Sequence, residues 1–324
     1  MLILIALLSV TSAHFTDLWD VGLMESSSKS PLDILKKNHE FSKFVDALEN
    51  YPDLIDYFKH LKTDTTIFAP TNEAFDKCAD HDYSSLKAIL KYHIVTSKLQ
   101  KEDFEDGRLV KTKLILEGLK NGPQRLKILM KDHEFYVGND FYHTKVTFHD
   151  SKEFGKGIIY AISNLLIPPT NVRDQILISH IPTTLFTFYT ALNYAELTEI
   201  VVNMEGISVF APSDDAFASL DETILKYLFS PLGKPVLRAL LLFHIIPPQD
   251  IPIYTDEISA NILSYRTLLM GKTITLEKRT FTDSSVVIVN KHAHVIYSNV
   301  LCSNGVIHVI DRLLLMFDIA NAEL

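Results

Sequence analysis

The sequence predicts an α+β protein made of two tandem copies of one domain. Three observations predict it. The chain has 324 residues, too many for one typical core and enough for two of about 150 residues each. Four landmarks occur twice, in the same order. Within each copy the apolar residues first repeat at helical spacing and later gather in β-rich runs. That order belongs to an α+β domain rather than a doubly wound parallel sheet.

Composition sets the outer limits. Apolar residues make up 47 % of the chain and charged residues 22 %, the balance of a globular protein that can bury real cores. The net charge is −9 and no dense Lys/Arg run breaks it, so nucleic acid is not an expected partner.

The first thirteen residues stand apart. Leu2 to Val10 form a short uncharged apolar run, followed by the small residues Thr11, Ser12 and Ala13. A membrane-spanning helix takes about 20 apolar residues, so residues 1–13 read as a signal peptide, with the mature chain starting near His14. Positive charge there comes from the terminal amine alone. No transmembrane anchor is expected further on. Val236 to Ile246 is interrupted by Arg238 and His244 and stopped by Pro247 and Pro248, and residues 317–324 include Asp318 and Glu323.

The elements of the first copy follow in order. Leu32 to Leu61 places apolar residues at helical spacing, and Pro31 and Pro52 suit helix starts, so this stretch is a chain of short helices. Thr65 to Ala69 is β-branched and aromatic, hence a strand, and it stops at Pro70. Thr71 or Asn72 can cap the next helix, with Glu73 in its first turn. Ser85 to Ile94 is helical and leads to a His and a β-branched exit. In the second copy, Ser213, Asp214 and Asp215 repeat the capping arrangement. Lys272 to Leu276, Val286 to Val289 and His294 to Val300 are strands, Asn304-Gly305 is a turn, and Val306 to Ile310 is a closing strand. Pro168-Pro169-Thr170-Asn171 is a short, stiff linker. The domains are expected at 30–168 and 172–316.

The landmarks carry the duplication. Thr66-Ile-Phe-Ala-Pro-Thr-Asn-Glu-Ala-Phe75 parallels Ser208-Val-Phe-Ala-Pro-Ser-Asp-Asp-Ala-Phe217. Lys91-Tyr-His-Ile-Val95 parallels Leu242-Phe-His-Ile-Ile246. Gly157-Ile-Ile-Tyr-Ala-Ile-Ser-Asn-Leu-Leu166 parallels Gly305-Val-Ile-His-Val-Ile-Asp-Arg-Leu-Leu314, and upstream Ala47-Leu48 parallels Ala191-Leu192. A period of nearly 150 residues is a domain duplication, not a solenoid.

These motifs resemble the FAS1, or fasciclin-like, domain from about Ser30 to Met316. Thr66 to Phe75 stands for its first signature, Tyr92-His93 for its Tyr-His dipeptide, and Asn304 to Asp311 for its second signature. The resemblance implies two tandem FAS1-like domains, each a β-wedge or sandwich packed with several short helices. It also implies a non-enzymatic binding or adhesion-type protein acting on a protein, cell-surface or matrix partner. The compact layout is similar to small fungal members of the vacuole lumen or cell exterior, which points to the secretory pathway. The family's Tyr-His position is linked to integrin adhesion in animal members, which makes Tyr92, His93, Phe243 and His244 the candidate binding residues. The chain departs from the pattern at Phe243, which stands where a Tyr is usual, and at Lys156, where Asn is usual. Ala161 and Asn164 stand out of register with the usual His and Asp types. No Arg-Gly-Asp occurs.

Chemistry has few other footholds. His93 and His244 end helical runs, where an imidazole bonded to a main-chain carbonyl is the expected role. Phe68 and Phe210 read as core. His292-Ala-His294 would place two imidazoles on one side of a strand, half of a zinc site, but a solvated strand face is the expected reading. Asp214-Asp215 is explained by the helix start, and Asp311 by bonds to a neighbouring turn. Walker, Gly-x-Gly-x-x-Gly, His-Glu-x-x-His and Gly-x-Ser-x-Gly motifs are absent, so no catalytic residue, metal or cofactor is expected. The competing class is a lumenal enzyme, such as a vacuolar hydrolase, with dispersed residues. Cys78 and Cys302 fall in different domains and are expected not to bridge.

Overall fold

A computed structural model describes residues 29–77, 85–178, 183–248, 251–281 and 285–315. The first domain opens with three short helices, α1 (Pro31–Lys37), α2 (Ser42–Glu49) and α3 (Pro52–His60). Ser30 and Asp33 form a capping box around the start of α1, and Pro31 and Pro52 occupy first-turn positions where a missing N–H is harmless. The strand β1 (Thr65–Pro70) follows, then α4 (Asn72–Asp76), α5 (Leu86–Tyr92) and β2 (Ile94–Val95). Strands β3 (Leu109–Leu116), β4 (Gly122–Lys131), β5 (Glu134–Gly138), β6 (His143–Phe154) and β7 (Gly157–Ile162) complete the domain. Thr71, rather than Asn72, caps α4, its hydroxyl accepting from Ala74 N at 3.3 Å. Asn72 reaches sideways instead and accepts from Lys43 N at 2.9 Å.

The second domain repeats the plan. Helices α6 (Val172–Ile178), α7 (Phe186–Tyr194) and α8 (Thr198–Asn203) precede β8 (Ile207–Pro212). Then come α9 (Asp214–Ala218), α10 (Glu222–Leu228), α11 (Lys234–Phe243) and β9 (Ile245–Ile246). The last strands are β10 (Leu263–Arg266), β11 (Thr273–Thr280), β12 (Ser285–Val289), β13 (Ala293–Cys302) and β14 (Gly305–Ile310). Ser213 caps α9 as Thr71 caps α4, accepting from Ala216 N at 3.1 Å.

Strand order is the same in both copies. In the first, β1 to β7 run in sequence around a closed barrel, with β7 returning parallel to β1. In the second, β14 lies parallel to β8, and the order β10-β11-β12-β13-β14-β8-β9 is the same circle left open between β9 and β10. The first barrel closes there through the pair Val95 and Thr112. Across the corresponding gap, Leu268 N donates to Ile245 O at 2.8 Å.

The motif strands β1 and β8 are buried along their whole length, because helices cover one face and the barrel interior the other. Side chains alternate accordingly. Ile67 and Ala69 join the cluster beneath α1–α3, while Phe68 points into the barrel interior. Val209 and Ala211 face the helices of the second domain, and Phe210 points inward.

Register corrects two readings of the sequence. Tyr160 pairs with Phe68 just as His308 pairs with Phe210, so Tyr160, not Ala161, is the counterpart of the signature His. His292 lies in the turn before β13, not on the strand beside His294. Asn290 and Lys291 take left-handed backbone (φ 49° and 64°), and that tight turn begins the strand only at Ala293.

Candidate functional site

The four candidate residues lie at the helix-to-strand passages, and both pairs are buried within their own domains. His93 follows α5. Its Nδ1 donates to Ile89 O at 2.8 Å, and its Nε2 accepts from Leu166 N at 3.1 Å. His244 follows α11 and repeats both bonds, to Leu240 O at 2.8 Å and from Leu314 N at 2.9 Å. A carbonyl only accepts and a backbone N–H only donates, so each ring is the neutral Nδ1–H tautomer. Burial lowers the pKa of both to about 4. Each imidazole joins a helix end, where carbonyls lack partners, to the segment leaving the closing strand.

A second construction is also duplicated. In the first domain, Leu99 N donates to the Thr66 hydroxyl and the Tyr160 hydroxyl donates to Leu99 O, both at 2.8 Å. In the second, Ile253 N donates to the Ser208 hydroxyl and His308 Nε2 donates to Ile253 O, again both at 2.8 Å. One residue after β2 or β9 is thus clamped between the two motif strands. His308 Nδ1 accepts from Asn299 N at 3.3 Å, and burial lowers its pKa to about 4. The Tyr160 hydroxyl is pushed up to about 12, by burial first and nearby carboxylates second. Phenol and imidazole differ in kind, yet each places one donor at the same carbonyl over a stacked Phe68 or Phe210 ring.

Tyr92 and Phe243 diverge for a reason visible in the barrel wall. The Tyr92 hydroxyl donates to Arg125 O at 2.9 Å, on β4, where the first domain meets the second. Phe243 packs inside the second sheet among Phe210, Ile246 and Ile310.

That meeting surface escaped sequence reasoning. Buried Arg125 stacks its guanidinium 3.6 Å from the Tyr254 ring centroid and pairs with Asp256 at 3.3 Å and with Glu257. Buried Lys127 binds Asp140 at 2.7 Å and Ser298 O at 3.0 Å, and it lies 4.7 Å from the Tyr297 ring centroid. Tyr297 donates to Asp140 at 2.6 Å, and Gln124 donates to Cys302 O at 2.9 Å. The other Asp140 oxygen is buried without a hydrogen-bond partner. The backbone adds Gly206 N to Gly118 O at 2.8 Å and Ser303 N to Thr170 O at 2.7 Å. Gly118 is needed there, because a Cβ would sit 2.6 Å from Ser303 O. No spacing pattern signals this surface, since its contacts between the domains join residues 88 to 178 positions apart.

Three remaining sequence candidates have plain places. Asp311 accepts from His294 N at 2.7 Å and from its Nδ1 at 3.0 Å, closing β13 onto β14. Asp214 accepts from Thr187 N at 2.7 Å and from the Thr184 hydroxyl. Cys302 is a free, buried thiol whose pKa burial drives well up, whereas Cys78 and residues 1–13 lie outside the described residues. Among the described residues no group of three or more His, Cys, Asp or Glu side chains is placed to hold a metal. No helix among them is long and apolar enough to cross a membrane.

Two stretches of the chain, 39–168 and 183–316, each match the family described as Fasciclin domain. Periostin of Homo sapiens is 25 % identical over 250 residues, which cover 77 % of this chain and 27 % of periostin. Aurofusarin biosynthesis cluster protein S of Gibberella zeae is 24 % identical over 242 residues, covering 66 % of this chain and 53 % of that protein. The chain thus spans from about a quarter to about half the length of these relatives. A solved FAS1 domain pair from the insect cell adhesion molecule fasciclin I overlaps 86 % of this chain and 98 % of its own, at TM-score 0.43 and 19 % identity.

Proposed function

The chain belongs to the fasciclin-domain family, and from that premise we propose that it is a non-enzymatic, adhesion-type binding protein of the secretory pathway. It acts in the vacuole lumen or outside the cell, through protein, cell-surface or matrix contacts made by two domains held as one body. The observation that carries this reading is the occupation of the motif histidines. His93, His244 and His308 each have both ring nitrogens engaged by backbone groups in the core. A general base needs a free lone pair within reach of substrate, and these rings offer none. The doubled motifs therefore build the scaffold, and recognition falls to the outer surface. Tyr92, His93, Phe243 and His244 support that surface from beneath.

Biotinylated full chain on a sensor surface, presented with solubilised cell-surface, matrix and vacuolar fractions, is expected to bind a component saturably and reversibly. It is also expected to leave ester, glycoside and peptide substrates unchanged. Turnover that co-purifies with the protein through gel filtration would establish the lumenal hydrolase instead.

A further inference from the structure

The first domain carries a cleft that the family motifs do not use. It has a volume of about 880 Å³ and lies between α1, the turn at residues 39–41 and the β6–β7 hairpin. Its floor is apolar. Phe41 and Phe154 show a narrow apolar edge to the cleft, Leu35 and Ile159 lie fully buried just beneath it, and half-buried Ile34 stands beside them.

The rim is cationic. Lys29, Lys37 and Lys152 line it, and none forms an ion pair with a described residue. Two carboxylates also line it. Glu153 is engaged by Lys98 at 3.2 Å and by Gln100 at 3.4 Å, and Asp33 on the outer side of α1 lies within electrostatic reach of Lys37, so Glu40 is the rim carboxylate without such a partner among the described residues. Three lysines against two glutamates leave the mouth with a net charge of +1 over an apolar floor, in a chain of net charge −9. The volume falls within the roughly 300–1,000 Å³ of small-molecule pockets.

We propose that this cleft binds a single-chain anionic amphiphile, with the hydrocarbon on the Leu35–Phe41–Phe154–Ile159 floor and the acidic head at Lys37 and Lys152. Burying hydrocarbon supplies the main driving force, at about 25 cal/mol per Å². The lysines select the charge and orient the chain. Lysine stems lie along apolar surface while their heads stay in water, so the rim accommodates the head without burying an unpaired charge.

The test uses the full chain, with oleate as ligand and 8-anilinonaphthalene-1-sulfonate as fluorescent reporter. Oleate below its micellar concentration is expected to displace the reporter with one site per chain. Lys37→Glu/Lys152→Glu, two exposed positions, is expected to weaken oleate about tenfold while leaving oleyl alcohol and the melting temperature unchanged. Ile34→Asp is expected to weaken both ligands. Unchanged oleate affinity in the charge-reversed variant, equal loss for oleyl alcohol, or binding only to oleate-containing vesicles overturns the proposal. Failure of oleate to displace the reporter overturns it as well.

Discussion

At the scale of single residues, the imidazoles are the parts most exposed to experiment. His93 satisfies Ile89 O and Leu166 N, and His244 satisfies Leu240 O and Leu314 N. Replacing either by Ala leaves two buried backbone groups unpaired, at about 1–3 kcal/mol each. Urea unfolding of His93→Ala and His244→Ala is expected to show losses of that size, and equal midpoints for mutant and wild type would contradict the role. Protonation offers a second handle. His93, His244 and His308 have folded pKa values of about 4 against an ordinary 6.5. Between those values the unfolded chain binds protons that the folded chain refuses. Stability is therefore complete above about pH 6.5 and falls as the pH drops toward 4, by on the order of 3 kcal/mol per histidine. Urea midpoints measured at pH 7, 6 and 5 should decline stepwise, and a flat series would show that the rings are not held neutral.

At the scale of elements, the second signature acts as a staple, and Asn304 is its centre. Its Oδ1 accepts from Val172 N at 2.9 Å, and its Nδ2 donates to Val201 O, Val202 O and Met204 O at 2.9, 3.1 and 3.0 Å. One side chain joins the start of α6, the end of α8 and the β13–β14 turn. Asn304→Ala should cost about 2–4 kcal/mol, read as a lower melting temperature of the chain, and a shift of under one degree would contradict the staple. Such motif-borne elements were legible in the sequence. The strand Thr65–Ala69, the cap after Pro70 and the closing strand at Val306–Ile310 each have a local cause: β-branched runs, a hydroxyl cap, an Asn-Gly turn. The barrel closure was not legible. It rests on the single pair of Val95 with Thr112, a contact made by the two-residue strand β2 that no local period announces. The equivalence of Tyr160 and His308 was half legible: the paired landmarks set one opposite the other, but the carbonyl that each reaches is not written in residue types.

At the scale of the whole molecule, the two domains form one object because charged groups of β4 are sunk into the second domain. Breaking a buried ion pair from one side costs about 3–5 kcal/mol, since the orphaned charge stays buried. Lys127→Met would strand Asp140, and Arg125→Ala would release Asp256 and Glu257 and uncover the Tyr254 ring. The wild-type chain is expected to melt in one cooperative calorimetric transition, whereas the double variant Arg125→Ala/Lys127→Met melts in two and scatters X-rays as a longer particle. Adding Asp140→Asn to Lys127→Met should recover part of the loss. Two transitions already present in the wild-type chain would show that the clamp does not couple the domains. The candidate binding pairs, Tyr92-His93 and Phe243-His244, take their meaning at this scale too. Tyr92 supports the backbone of the residue that clamps the next domain, whereas Phe243 lines only its own core.

The parallel pairing of the first and last strands has a mechanical consequence. The polypeptide enters β1 at Thr65 and leaves β7 at Ile162, and those points are at opposite ends of a six-residue parallel pair. The pair β8–β14 is threaded in the same way, from Ile207 to Ile310. Tension along the chain would slide each pair lengthwise, so its hydrogen bonds share the load at once and do not unzip one by one. Resistance to pulling is governed by the unfolding rate rather than by equilibrium stability, and this threading places the highest barrier directly in the line of force. A protein pulled from both ends would yield first at its helical entries and last at its motif strands.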